Sequence, residues 1–181
     1  MTLLRALQNP ALYNHPVQDF ELIETHISWV LLTGQYAYKI KKPLNLGFLD
    51  FSTLEKRRHY CTEELRLNQR LAPHIYLEVI TITGNADAPI FGGLGVPVEY
   101  AVKMRQFPQQ AQLDRVAACG ELSSAHIDQL AEIIAAFHGR IAVAESDTLY
   151  GQPAQVHQPV MENFAQIRPH LTNVTDITQI E

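Results

Sequence analysis

The sequence predicts an α+β fold in which strands and one long helix come first and further helices follow. Three observations predict it. Runs rich in β-branched and aromatic residues, separated by glycine-containing turns, fill the N-terminal part of the chain. A capped helical period opening at Ser52-Thr53-Leu54-Glu55 interrupts them, and two more helical periods, around Ile127 and Val160, come after the last strand. Strands and helices segregated in this way belong to a layered α+β design, here expected as two lobes.

Leu3, Leu4 and Leu7 repeat at helical spacing before Pro10, so a short N-terminal helix is expected. The composition turns β-like from Val17 to Glu24. Ile27–Leu32 and Tyr36–Lys41 form a hairpin about Thr33-Gly34-Gln35, closed by Pro43, which has no N–H for the ladder. Ser52 and Glu55, three apart, have the spacing of a capping box, in which the serine oxygen takes an orphan amide and the glutamate returns the bond. The helix it opens should run from about Thr53 to Leu71, with Leu54, Cys61, Leu65 and Leu71 near its core face and Arg57, Arg58 and Glu63 mostly off it. Tyr76–Thr83 and Val98–Phe107 are the next strands, with a turn at Gly84–Asp87. Ser123 or Ser124 caps a helix whose Ile127, Leu130, Ile134 and Phe137 share a face, and Gly139 stops it. Val160, Phe164, Ile167 and Leu171 mark a last helix cut short near Pro169, followed by a polar tail, Thr172–Glu181.

A chain of 181 residues suits one compact domain or two small lobes. Its 14 Lys and Arg against 19 Asp and Glu leave a net charge of −5, which excludes a generally basic nucleic-acid coat but not a local basic face. With 46% apolar and 18% charged residues it has the stock for a core. Cys61 and Cys119 make no disulfide framework, and no stretch after Met1 resembles a signal peptide, so a cytoplasmic protein is expected. No apolar run approaches the roughly 20 residues of a membrane span.

Charge concentrates in one place. Residues 39–58 hold Lys39, Lys41, Lys42, Lys56, Arg57 and Arg58 against Asp50 and Glu55, a net +4 in an acidic chain. That focus is either an anion site or a solvated strand edge guarded against aggregation. A strand lysine followed by a capped helix bearing Glu63-Glu64 is the order used by protein-kinase-type folds, where the lysine holds phosphates and a helix carboxylate fixes its ammonium. Taken alone this order is common, and most such pairs are surface ion pairs of little worth.

Longer strings sharpen it. Glu24-Thr25-His26-Ile27-Ser28-Trp29-Val30, Ala37-Tyr38-Lys39-Ile40-Lys41-Lys42-Pro43, Leu46-Gly47-Phe48-Leu49-Asp50-Phe51, Arg57-Arg58, Glu63-Glu64-Leu65-Arg66-Leu67-Asn68 and Glu99–Pro108 resemble the N-terminal, aminoglycoside phosphotransferase-like domain of a bacterial family. Its longer members continue into a P-loop ATP-binding domain. The resemblance covers nearly the whole chain. It implies a protein-kinase-like N-lobe at residues 1–103, an antiparallel sheet plus one long helix, followed at residues 104–181 by a hinge and the first helices of a truncated helical C-lobe. It further implies that Lys39 binds phosphate with Glu64 as its partner, Glu63 and Lys41 being the second choices. Thr25-His26 would lie at the phosphate-covering turn, without that turn's glycines, and Met104 to Gln106 at the hinge that meets adenine. The cofactors implied are ATP and magnesium, with the magnesium ligands expected only beyond this chain, and the reaction is γ-phosphoryl transfer to a small-molecule hydroxyl whose identity the sequence does not give.

The His-Gly-Asp-type catalytic loop is missing from the sequence. His138-Gly139 is followed by Arg140, so Phe137-His138-Gly139 is expected to end the helix before that loop, and the chain alone is expected to be an inactive fragment. Two other readings remain: a non-catalytic module holding nucleic acid or a partner protein on residues 39–58, and a degenerate kinase domain regulating the P-loop domain. Gly92-Gly93-Leu94-Gly95 lacks the Gly-Lys-Ser/Thr of a phosphate loop and is expected to be a hairpin turn. The eight histidines show no zinc spacing, and His126 and His138 are expected as helix-end residues. Trp29 and Tyr38 suit cross-strand packing. Apolar helix faces near 127–137 and 160–167 predict self-association of the isolated chain.

Overall fold

Thr33-Gly34-Gln35 turns the chain between β2 (Ser28–Leu32) and β3 (Tyr36–Lys41). The Thr33 hydroxyl donates to Tyr36 O at 2.7 Å, and Gly34 takes a φ of +88°, which glycine adopts without penalty. In the computed structural model, which describes residues 2–170, this hairpin belongs to one antiparallel sheet with β1 (Glu21–Glu24), β4 (Tyr76–Gly84), β5 (Pro89–Phe91) and β6 (Glu99–Arg105). The strand order is β1-β2-β3-β6-β4-β5. The helices are α1 (Thr2–Ala6), α2 (Leu54–Asn68), α3 (Leu113–Ala118), α4 (Ser124–His138) and α5 (Pro153–Ile167). The protein is therefore α+β, and it divides into two compact units, Met1–Ser124 and Ala125–Glu181. The lobe boundary expected after residue 103 falls within β6 of the first unit. Leu171 and the tail 172–181 lie outside the described residues.

Strand alternation gives the sheet two different faces. From one project Tyr38, Ile40, Leu31, Ile82 and Ala101, and α1 closes that face with Leu4 and Leu7, joined by Tyr13, Phe20 and Phe91. Tyr13 lies 5.3 Å from Tyr38 and 5.0 Å from Phe91 between ring centroids. Burial pushes both phenols up, Tyr38 to about 12, so they stay neutral. From the other face project Val102 and Tyr100, which pack against Cys61 of α2 together with Leu54, Val79 and Met104. Desolvation pushes the Cys61 thiol up to about 12.

Several local expectations need correction. Ser52 does not cap α2: its amide and hydroxyl both donate to Asp50 Oδ1, at 2.9 and 2.6 Å, and Thr53 caps instead, its oxygen accepting from Lys56 N at 3.2 Å. The helix ends at Asn68, which leaves Leu71 beyond it and 48% exposed, not in the core. Arg57 faces inward, four residues before Cys61 on the same helical face. Gly92–Gly95 is not a hairpin turn. The hairpin turn lies between β4 and β5, and the glycine segment carries the chain from β5 to β6, which flank β4 on opposite sides. A Cβ on Gly93 would fall 2.1 Å from Thr83 Oγ1, so the crossing requires glycine there.

In the second unit, Gly139 follows α4 and donates its amide to Ala135 O at 3.0 Å, so Phe137-His138-Gly139 does close a helix. α5 starts at Pro153, which suits a first-turn position, and contains Pro159. Ile127, Leu130 and Ile134 on α4 and Val160 and Ile167 on α5 are exposed. No helix among the described residues is long and apolar enough to cross a membrane.

Candidate functional site

Lys39 and Lys41 leave β3 on the face that α2 covers, because residues two apart in a strand share a side. On α2 the positions Arg57, Cys61 and Glu64 recur at helical spacing and face the sheet. The Glu64 carboxylate therefore arrives above both lysines. Lys39 Nζ donates to Glu64 Oε1 at 2.7 Å, and Lys41 Nζ donates to Glu64 Oε2 at 2.6 Å. Burial raises the Glu64 pKa, but the hydrogen bonds from Lys39 and Lys41 outweigh it and hold the carboxyl below the usual 4.5. Glu63 points elsewhere, to Arg66 at 2.7 Å on the surface.

The two lysines differ in exposure. The Lys41 side chain is 5% exposed and its ammonium lies 4.8 Å from the centroid of the buried Phe51 ring. Lys39 is 26% exposed and lines a cavity of about 450 Å³. Ile23, Val30, Leu32, Ala37, Tyr76 and Met104 give that cavity an apolar floor where α2 does not cover the sheet, and Thr25, Gln106 and Phe107 also line it. A second cleft of about 490 Å³ lies on the aromatic face, beside Tyr13, Tyr38 and Phe91, and none of the sequence-predicted site residues lines it.

Of those predicted residues, Lys39, Thr25, Met104 and Gln106 line the first cavity and Glu64 stands behind Lys39. His26 is exposed and is not among the lining residues. The Thr25 hydroxyl closes its own turn, donating to Ser28 O at 2.9 Å and accepting from Ser28 N at 3.0 Å. The Gln106 side chain is likewise engaged, its Oε1 accepting from Thr33 N at 3.1 Å and Gly34 N at 2.9 Å. At the edge of the cavity, Arg105 N donates to Ile75 O and Gln106 N to Gln35 O, at 2.8 and 3.1 Å. The next amide, that of Phe107, a residue that also lines the cavity, has no acceptor among the described residues. The sequence reading ran the strand on to Phe107, whereas β6 ends at Arg105.

The remaining cations of the basic segment are tied down. Lys42 Nζ donates to Glu24 at 2.6 Å, Lys56 pairs with Asp50, and Arg57 Nε donates to both Glu99 oxygens at 2.9 Å while Arg57 Nη1 donates to Phe51 O at 3.1 Å. Arg58 lies over the Tyr100 ring at 5.9 Å. Five of the six cations thus have an intramolecular carboxylate partner, Lys39 and Lys41 sharing one. No group of three or more His, Cys, Asp and Glu suited to a metal ion occurs among the described residues.

The chain resembles proteins of mycobacteria. The uncharacterized protein Rv2004c of Mycobacterium tuberculosis and the uncharacterized protein Mb2027c of Mycobacterium bovis are each 34% identical to it over 163 residues. The match covers 88% of this chain but 31% of each relative, so the chain spans about a third of the length of the curated relatives it matches. No family model matches the chain. No solved structure matches it either.

Proposed function

We propose that residues 1–103, with the hinge that follows at Met104 to Gln106, bind a nucleotide as the N-lobe of an aminoglycoside phosphotransferase-like protein with a protein-kinase-like fold. The whole-protein activity in this reading is transfer of the ATP γ-phosphoryl group to a small-molecule hydroxyl. The observation that carries the reading is Lys39, gripped by Glu64 from α2 and facing an apolar cavity. An unrestrained lysine is a wandering point charge; a paired one has already lost much of the freedom that phosphate binding would otherwise cost. The cavity volume is within the range of small-molecule sites, its floor suits a base and ribose, and the Phe107 amide offers a hydrogen bond at its edge. ATP, when bound, supplies the phosphoryl group, and the residues named here orient it.

The test is a titration of the chain and of Lys39→Ala with a non-hydrolysable ATP analogue. Loss of a charge-assisted bond should weaken binding by about ten- to a hundredfold, and equal affinity removes Lys39 from the role. A shift of nucleic acid at low salt that vanishes at high salt would favour the module reading instead.

A further inference from the structure

We infer that Lys41 is a positioning residue: it holds Glu64 so that Lys39 keeps its positive charge for a polyphosphate. The inference rests on the nucleotide reading above and goes beyond it, because sequence reasoning treated Lys41 only as a substitute for Lys39. Each lysine instead takes one oxygen of the same carboxylate. Two ammonium groups against one carboxylate leave a net charge of +1, and the two lysines do not share access to it. Lys41 is sealed under Phe51, whereas Lys39 opens onto the cavity. The excess charge is therefore available at the Lys39 end.

The burial of Lys41 also decides how Glu64 behaves when a ligand arrives. A phosphate that draws Lys39 away leaves Glu64 still bonded to Lys41. Glu64 cannot turn outward without stranding a buried ammonium, a strongly unfavourable outcome. Without Lys41, both Glu64 oxygens are free to close on Lys39 and cancel its charge. The site would then be neutral and its preference for phosphate would fall. The chemical class selected is a nucleoside polyphosphate over the bare nucleoside.

The experiment compares affinity for a non-hydrolysable ATP analogue with affinity for adenosine in the wild-type chain, Lys41→Met, Lys41→Arg, Lys39→Ala and the double variant Lys41→Met/Glu64→Gln. Methionine fills the volume of the buried stem without its charge. Lys41→Met should lose about tenfold on the triphosphate and leave adenosine unchanged, while Lys41→Arg holds near wild type. The double variant restores the net +1 and should regain most of the loss, which a merely structural role for Lys41 would not produce. Triphosphate affinity unchanged in Lys41→Met but lost in Lys39→Ala overturns the inference and leaves the nucleotide reading standing. A loss in Lys41→Met that the double variant does not regain also overturns it. Triphosphate affinity equal in wild type and Lys39→Ala, or none in either, overturns the nucleotide reading and the inference with it.

Discussion

The two faces of the sheet are built from alternate residues of the same strands and end up with opposite character. In β3, Tyr36, Tyr38 and Ile40 belong to the aromatic face, while Ala37, Lys39 and Lys41 belong to the face under α2. The aromatic face is closed by α1 and the segment carrying Tyr13 and Phe20, and it contributes stability through packing. The α2 face is held at one end by ions, Arg57 with Glu99 and the lysines with Glu64, and is open at the other. A face left unpacked is where a ligand has room, and the charged groups beside it are fixed before a ligand arrives.

The sharpest way to break this contrast is Arg57→Ala. It strands the Glu99 carboxylate, which is buried and hydrogen-bonded to Arg57 Nε, and should cost about 3–5 kcal/mol in denaturant unfolding. An effect below about 1 kcal/mol would mean that the ionic end does not hold the face. Leu7→Ala, at a fully buried position under the aromatic face, should cost about 3 kcal/mol with unchanged affinity for the ATP analogue. Lys39→Ala should show the reverse, a stability change within about 1 kcal/mol alongside the affinity loss given above.

The smallest effect is a pH dependence. The Glu64 pKa in the folded chain lies below its ordinary value of 4.5, so the stability it contributes is fully present above about pH 4.5 and is lost as pH falls through the lowered value. Glu64→Gln should flatten that acid limb of the unfolding curve, and an unchanged limb would show that the carboxylate is not held as described.

Local patterns carried much of the fold. The Thr33–Gln35 hairpin, α2 and α4 were legible because turn chemistry and helical spacing act over a few residues, whereas the choice of Glu64 over Glu63 as the partner of Lys39 came from the family resemblance. What escaped depends on distant partners. Leu54 and Cys61 were placed on the core face of α2, yet Arg57 and Glu64 share the inward stripe with Cys61, since the sheet beneath presents Glu99 and two lysines. Glu99 at the head of an apolar strand was the available hint, 42 residues from Arg57. Ser52 lost the capping role to Thr53 because Asp50 had already taken its hydroxyl. The short β5 and α3 carried too little period to stand out.

β6, the last of this sheet's strands in chain order, occupies its middle, between β3 and β4. Until it emerges from the ribosome, the chain holds two separate pieces, the β1–β3 meander and the β4–β5 hairpin, with no ladder joining them. The platform beneath Lys39 and the seat of Cys61 both come into being when this one segment zips in. A nascent polypeptide halted before residue 99 would therefore expose two unpaired inner edges and depend on chaperone protection.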